Sequence, residues 1–149
     1  MFKQILVPVD GSDTSNKALV TALQMAREAG ARVCLVHAID ELALYSGMEY
    51  DVNVVAIAHE QAEKLLNDAV AMAKSAGVDA DGKLMEPGMR LGDCVASAAL
   101  DWKADLIVVG THGRRGMSRV LLGSGAEQII RSAPVPVLVI RGEPPPKQV

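Results

Sequence analysis

The stretch DLIVVGTHGRRGMSRVLLGSG, residues 105–125, decides the fold class of this chain. It opens on a short apolar run, which is typical of a strand buried on both faces of a parallel sheet. Glycines at 110, 113 and 116 follow, and a helical pattern starts near Ser124. A strand that leads through a glycine-rich loop into a helix predicts one unit of a parallel α/β sheet.

The same loop has the features of an anion-binding site. Its glycines permit positive φ and leave no side chains in the way of a ligand. Successive free N–H groups in such a loop form a concavity for anions, and the following helix N-terminus adds more of them. Arg114, Arg115 and Arg119 bring positive charge to the same segment. We therefore expect a phosphate-bearing ligand here.

Strand patterns and helix patterns alternate along the rest of the chain. Four helices are predicted: the first from an N-cap at one of residues 12–15 to residue 29, the second from about 58 to 77, the third over 91–103 and the fourth over 124–132. Five strands are predicted, at 5–9, 32–39, 78–86, 106–109 and 135–140. Residues 41–53 lack a clear period and predict a long loop. Five strands alternating with four helices predict a Rossmann-like parallel sheet with helices on both faces. Ligands of such sheets bind beyond the carboxyl ends of the strands, where the strand order reverses.

Length and composition limit the classes of function. The 149 residues fit one domain, which we assign to residues 1–142, and half of the chain is hydrophobic. The prolines at 144–146 predict that the tail, 143–149, is disordered. A net charge of −3 argues against a general nucleic-acid binder. Cys34 and Cys94 lack the spacing of a zinc site and are interpreted as small buried hydrophobes.

The sequence also bears on location. No basic-then-apolar leader opens the chain, and no apolar run approaches the roughly 20 residues of a membrane span. We therefore expect a cytoplasmic protein without membrane insertion.

Three segments resemble the universal stress protein family, and the resemblance covers residues 3–141. They are Asp10-Gly11-Ser12, the strand at 105–110, and APVPVLV at 133–139. The ATP-binding branch of that family carries glycine, two residues, glycine, nine residues, then glycine and Ser or Thr. This chain has Gly110, Gly113, Gly123 and Ser124 at those spacings.

The resemblance implies a sheet ordered 3-2-1-4-5 and a nucleotide whose phosphates lie on the loop from Gly110 to Ser124. It also implies that Asp10 faces the ribose and that Val9 and Ala38 border the adenine. The family often has a second hydroxyl two residues after the Ser or Thr, where this chain has Ala126.

Several candidate residues keep two interpretations. Asp10 either contacts ribose or belongs to the N-cap region of the first helix. His112 either hydrogen-bonds a phosphate or faces solvent, and one of the two loop arginines is the expected phosphate contact. Ser124 and Glu127 have the spacing of a capping box, which is compatible with a phosphate contact from Ser124. His37 is interpreted as structural and His59 as a helix-surface residue. The candidate nucleotide-binding residues are Val9, Asp10, Ala38, Gly110, His112, Gly113, Arg114, Arg115, Gly123, Ser124 and Gly125.

Several catalytic motifs are absent from the sequence. There is no P-loop lysine, no G-x-S-x-G elbow and no paired carboxylates, and nothing offers a base to activate water. We therefore expect a stress-response regulator that binds ATP, alone or with Mg²⁺, hydrolyses little of it, and has neither catalytic residues nor metal ligands of its own. The alternatives are a slow ATPase or nucleotide-dependent enzyme, and an interaction scaffold without nucleotide. The expected regulatory protein partner is not identified by the sequence.

The last strand predicts a homodimer. Pro136 lies inside the apolar run 135–140, and because proline lacks a ladder donor the strand belongs at a sheet edge. An open apolar edge invites pairing, and a second copy related by a two-fold axis would cover it. The resemblance implies the same interface.

Overall fold

The computed structural model describes residues 1–39, 52–85, 88–111 and 123–142. Four candidate residues, His112, Gly113, Arg114 and Arg115, lie outside the described residues. So do the tail at 143–149 and most of the loop predicted at 41–53.

Strands and helices alternate along the described chain as the sequence predicted. The strands are β1 Gln4–Pro8, β2 Arg32–Ala38, β3 Ala80–Met85, β4 Leu106–Gly110 and β5 Val137–Ile140. The helices are α1 Asp13–Ala29, α2 Val52–Ser75, α3 Leu91–Trp102 and α4 Ser124–Ser132.

The five strands form one sheet in the order β3-β2-β1-β4-β5, and every neighbouring pair is parallel. The chain runs outward from β1 to β3 in one direction and from β4 to β5 in the other. The order therefore reverses between β1 and β4, as the family resemblance implied. The point at which sheets of this kind bind ligands therefore lies beyond the carboxyl ends of β1 and β4.

Helices cover both faces of the sheet because its strands are apolar on both sides. On one face α1 and α2 bury Leu19 and Leu66 against Ile5 and other residues of the first cluster. On the other face α3 and α4 bury Val95 and Ile129 in a second cluster. Successive strand residues alternate between the two clusters, so each central strand contributes to both.

Helix α1 illustrates how local sequence sets the element ends. Ser12 is its N-cap, and the Ser12 side chain accepts a hydrogen bond from the Ser15 N–H. Gly30 ends the helix in the left-handed conformation with φ of 65°. The buried stripe between these ends, at Ala18, Leu19, Ala22, Leu23 and Ala26, has helical spacing.

Several predicted boundaries were wrong. Strand β3 begins at Ala80 rather than at 78, and α2 ends at Ser75 rather than at 77. Strand β5 begins at Val137 rather than at Val135, so Pro136 precedes the strand; proline cannot donate to the ladder, although its carbonyl accepts from the Ile107 N–H at 3.0 Å. Helix α2 begins at Val52, inside the segment predicted to be a loop.

The two edges of the sheet differ in character. The edge strand β3 carries Asp81 and Lys83, which pair with Arg32 and Asp101 respectively. The opposite edge, β5, reads Val-Leu-Val-Ile, and every residue of it is partly or fully exposed. Only the β5 edge therefore presents an uncharged apolar strand.

Candidate functional site

The turn between β1 and α1 fixes Asp10 at the carboxyl end of the sheet. Its Oδ1 accepts a hydrogen bond from the Ser12 N–H at 2.8 Å, and its own N–H donates to the Ser15 Oγ at 3.0 Å. Gly11 supplies the positive φ of 82° that the turn requires. Asp10 is thus a turn residue that precedes the N-cap, Ser12, and its carboxylate is held in place.

The neighbouring ends of β1 and β2 are tied together by His37. The Val9 N–H donates to the Val36 carbonyl at 2.8 Å, and the His37 Nδ1 lies 2.6 Å from the Val9 carbonyl oxygen. Because a carbonyl only accepts, Nδ1 carries the proton of this bond. Val9 is 5% exposed and Ala38 is half-buried. His37 is itself buried, so its predicted structural role is confirmed.

Gly110 ends β4 at a place where α1 approaches very closely. A Cβ atom on Gly110 would lie 2.8 Å from the Thr14 carbonyl carbon and oxygen. A Cβ on Gly142, just after β5, would lie 2.6 Å from the Thr14 Cγ2. Helix packing alone therefore requires glycine at 110, in addition to the ligand access that the sequence predicted.

No side chain among the described residues caps the N-terminus of α4. Gly123 is the N-cap, and Ser124 is the first helical residue, so the capping box predicted from Ser124 and Glu127 does not form. Glu127 pairs instead with Arg131 at 2.9 Å. The backbone N–H groups of residues 124–126 have no hydrogen-bond partner within the described ranges.

Close contacts with α3 hold this first turn of α4 in position. A Cβ on Gly92 would lie 2.5 Å from the Gln128 carbonyl oxygen, so the two helices touch through backbone. The Gly92 N–H donates to the Gln128 Oε1 at 3.3 Å, and the Leu91 Cδ2 would lie 3.0 Å from a Cβ on Gly125. Because the helix is fixed, its N–H groups keep one direction relative to the sheet.

Thr111 connects α4 to both strands of this half of the sheet. Its carbonyl accepts from the Gly123 N–H at 2.6 Å, and its N–H donates to the Ile140 carbonyl at 2.9 Å. The Thr111 side chain is 6% exposed, and its Oγ1 finds no hydrogen-bond partner in the part of the chain that the structure describes. Sequence reasoning missed this residue; its position directly after Gly110 was the available signal.

The structure brings together the described candidates at the carboxyl edge of the sheet. The three central strands end at or just before four of these candidates: Val9, Asp10, Ala38 and Gly110. The other three, residues 123–125, form the N-cap and the start of α4, next to Thr111. His59 is exposed on α2 beside Glu63, as predicted.

The two cysteines belong to the core, as predicted. Both are buried. Burial, helped by the nearby Asp81 carboxylate, raises the pKa of the Cys34 thiol from 9.0 to about 11. Neutral Cys34 is therefore not an activated nucleophile. None of the helices in the described ranges is long and apolar enough to cross a membrane.

Comparison with known proteins now identifies the family. The family model for the universal stress protein family matches residues 1–141. The chain belongs to the universal stress protein family. A universal stress protein of Thermus aquaticus is 36% identical over 141 residues, which cover 95% of this chain and 100% of the relative.

Solved structures agree with this membership. A hypothetical protein whose biochemical function was assigned from its structure superposes with a TM-score of 0.84 at 27% identity, covering 97% of this chain and 99% of its own. A family member from Archaeoglobus fulgidus, solved in complex with dAMP, has a TM-score of 0.68 at 27% identity and covers 93% and 97%. Another universal stress protein, in complex with cAMP, has a TM-score of 0.69 at 25% identity, with the same coverage.

Proposed function

We propose that this universal stress protein binds an adenine nucleotide, ATP in the cell, in the crevice between the carboxyl ends of β1 and β4. The single observation that carries the proposal is the uncapped N-terminus of α4, held beside the end of β4 by the hydrogen bond from Gly123 to Thr111. Three N–H groups that have no partner among the described residues and the positive end of the helix dipole converge there. An anionic phosphate satisfies both.

The nucleoside end of the ligand lies toward β1 and β2 in this proposal. A carboxylate at the end of a strand accepts hydrogen bonds from ribose hydroxyls. Asp10 has that position, and the Ser12 N–H already fixes its Oδ1. Val9 directly follows β1 and Ala38 ends the neighbouring β2, and both offer apolar contact to adenine. The dAMP and cAMP complexes of two family members support an adenine nucleotide over other phosphates.

The choice of ATP among adenine nucleotides rests on the glycine spacing of the sequence. Gly110, Gly113, Gly123 and Ser124 match the pattern of the ATP-binding branch. Arg114 and Arg115 add the charge that a triphosphate requires, and bound ATP brings Mg²⁺ as its counter-ion.

Binding without efficient turnover is the proposed chemistry. Hydrolysis of ATP requires a group that positions or activates water. The one carboxylate placed at the crevice among the described residues, Asp10, is engaged in the turn through its Oδ1. We therefore propose that the bound nucleotide acts as a signal in a cytoplasmic stress-response regulator, rather than as a substrate.

The proposed assembly is a homodimer through β5. Charged residues on the β3 edge discourage pairing there, whereas the apolar β5 edge invites it. Leu138 in the middle of β5 is 37% exposed. A two-fold arrangement of two β5 strands would cover this edge and close the assembly. The surface that recognises a regulatory partner would then be shared by both copies.

The proposal is tested by titrating the purified protein with ATP, AMP, cAMP and adenosine in a calorimeter, after mass spectrometry for retained nucleotide. The diagnostic variant is Ser124→Asp, because a negative charge at an exposed first helical position stabilises the helix but repels phosphate. We expect a higher unfolding midpoint together with a loss of ATP affinity of tenfold or more, a coulombic effect of about 1.4 kcal/mol or above.

The matched control is Ser97→Asp, which adds the same charge at an exposed position on α3. It should leave ATP affinity unchanged. A wild-type protein that binds none of the four ligands would contradict the proposal and favour a dimeric scaffold without nucleotide.

A further inference from the structure

We infer that the Thr111 hydroxyl donates a hydrogen bond to a phosphate oxygen of the bound nucleotide and so belongs to the binding site. The inference rests on the proposed nucleotide-binding function. It concerns a residue outside the glycine pattern, and it comes from a buried hydroxyl that has no hydrogen-bond partner among the described residues.

The first observation is energetic. A buried hydroxyl without a hydrogen-bond partner destabilises a folded protein, so each such group needs an explanation. Thr111 is 6% exposed, and its Oγ1 is unpartnered with respect to residues 1–39, 52–85, 88–111 and 123–142. Its own N–H and carbonyl are both paired, to Ile140 and Gly123, so backbone hydrogen bonds on both sides hold Thr111 in place.

The second observation is the placement of the residue. The hydrogen bond from the Gly123 N–H to the Thr111 carbonyl puts Thr111 beside the N-cap of α4. Side chains of β4 alternate between faces: Val108 belongs to the α1 and α2 cluster, and Val109 to the α3 and α4 cluster. Gly110 meets Thr14 of α1, so the same alternation puts Thr111 on the side of α4.

The third observation concerns the chemistry of the surroundings. The N–H groups of residues 124–126 are donors, and none of them can accept a bond from the Thr111 hydroxyl. A ligand that satisfies both the N–H groups and the hydroxyl must itself be rich in acceptors. A phosphate group has three or more acceptor oxygens and negative charge, which also suits the positive end of the α4 dipole.

The variant Thr111→Val separates this role from a structural one, because valine has the shape of threonine without the hydroxyl. If the hydroxyl is a ligand group, it has no partner in the nucleotide-free protein. Its removal should then raise the unfolding midpoint of that protein by about 2–4 °C. The same variant should lose about tenfold in ATP affinity, since hydrogen bonds to charged groups are among the stronger ones. Thr111→Ser keeps the hydroxyl and should retain wild-type affinity.

The matched control is Thr21→Val on α1, where the hydroxyl donates to the Lys17 carbonyl at 2.9 Å and lies away from the crevice. It should leave ATP affinity unchanged. Adenosine provides a second control, because it lacks phosphate and should bind Thr111→Val and wild type equally.

The outcomes are distinguishable. If wild type binds ATP and Thr111→Val binds it equally well, the inference is overturned while the proposed function stands. An equal loss of adenosine affinity would also overturn it, since the hydroxyl would then contact the nucleoside. If wild type binds no nucleotide, the proposed function fails and the inference fails with it.

Discussion

Gly110, the last residue of β4, touches the backbone of Thr14 in the first turn of α1, with 2.8 Å between the position of a Cβ on Gly110 and the Thr14 carbonyl oxygen. The contact joins the two strand ends that border the crevice, because α1 follows β1 directly. The spacing of β1 and β4 at the proposed site therefore depends on a residue without a side chain.

We expect Gly110→Ala to destabilise the protein by about 1–3 kcal/mol, because the added methyl group meets backbone atoms that cannot rotate away. Urea unfolding measures this loss. The control is Gly125→Ala, whose added Cβ would meet only the tip of the Leu91 side chain at 3.0 Å. A Gly110→Ala variant as stable as the control would contradict the close approach of α1.

We expect Asp10→Asn and Asp10→Ala to separate the two functions of this carboxylate. Asparagine keeps an Oδ1 that can accept from the Ser12 N–H, whereas alanine loses this bond and should destabilise the protein by about 1 kcal/mol. Both variants lose the negative charge, and both should discriminate less between ATP and 2′-deoxy-ATP if Asp10 meets the ribose. Thermal unfolding and competitive titration give the two readouts. Unaltered discrimination in both variants would remove Asp10 from the ribose contact.

We expect Leu138→Asp to convert a dimer into a monomer in light scattering, because a two-fold axis through β5 brings the two introduced charges together. Val137 and Val139 pack against the α3 and α4 cluster, so a charge at either position would also destabilise each subunit. Leu138 is therefore the better position for this test. Leu100→Asp is the control, since Leu100 is 64% exposed on α3. A wild-type protein that is monomeric at micromolar concentration would rule out the interface.

We expect Cys34 to react slowly with Ellman's reagent in the folded protein. Raising its pKa from 9.0 to about 11 lowers the thiolate fraction at pH 8 by about a hundredfold. The Cys94→Ala variant isolates this reaction, and the rate in urea gives the reference. Equal rates in folded and unfolded protein would contradict the burial of Cys34.

The same shift of pKa predicts a change of stability with pH. The unfolded thiol loses its proton near pH 9.0 and the folded thiol near 11, so the folded state holds more protons between these values and stability falls as the pH rises through them. The variant Cys34→Ala lacks this contribution. The two profiles of unfolding free energy against pH should therefore differ in slope within that window and run parallel outside it.

We expect ATP turnover far below the enzyme median of about 10 per second. Phosphate release by wild type and by Ser124→Asp should be compared, because a contaminating ATPase would be unaffected by the substitution. Turnover near the median that disappears in Ser124→Asp would establish an enzyme instead.

Local sequence patterns were enough to predict most of the fold but only part of the candidate site. The apolar run of β4 and the helical stripe of α1 specify their elements by periodicity alone, so these predictions were confirmed. The strand order required the family resemblance, because periodicity does not say which strands are neighbours. The start of β5 was misplaced because Val135 continues the apolar run although Pro136 cannot donate to the ladder.

The site residues that sequence reasoning missed depend on contacts between distant segments. The pattern at Ser124 and Glu127 matches a capping box, but the Gly123 N–H is already bonded to Thr111 and Glu127 pairs with Arg131. The burial of the Thr111 hydroxyl arises from the meeting of β4, β5 and α4. The position of Thr111 directly after Gly110 was a sequence signal for the site, but only the three-dimensional structure shows that the hydroxyl is buried.

The hydrogen bond between the Thr111 carbonyl and the Gly123 N–H has an evolutionary consequence. It joins the two described residues that flank the segment 112–122, and the strands of the sheet pair without that segment. Substitutions, and even changes of length, between two joined ends cost the framework little, because loop-closure entropy grows slowly with length. We therefore expect that substitutions between residues 111 and 123 can change the ligand preference while the framework keeps its stability.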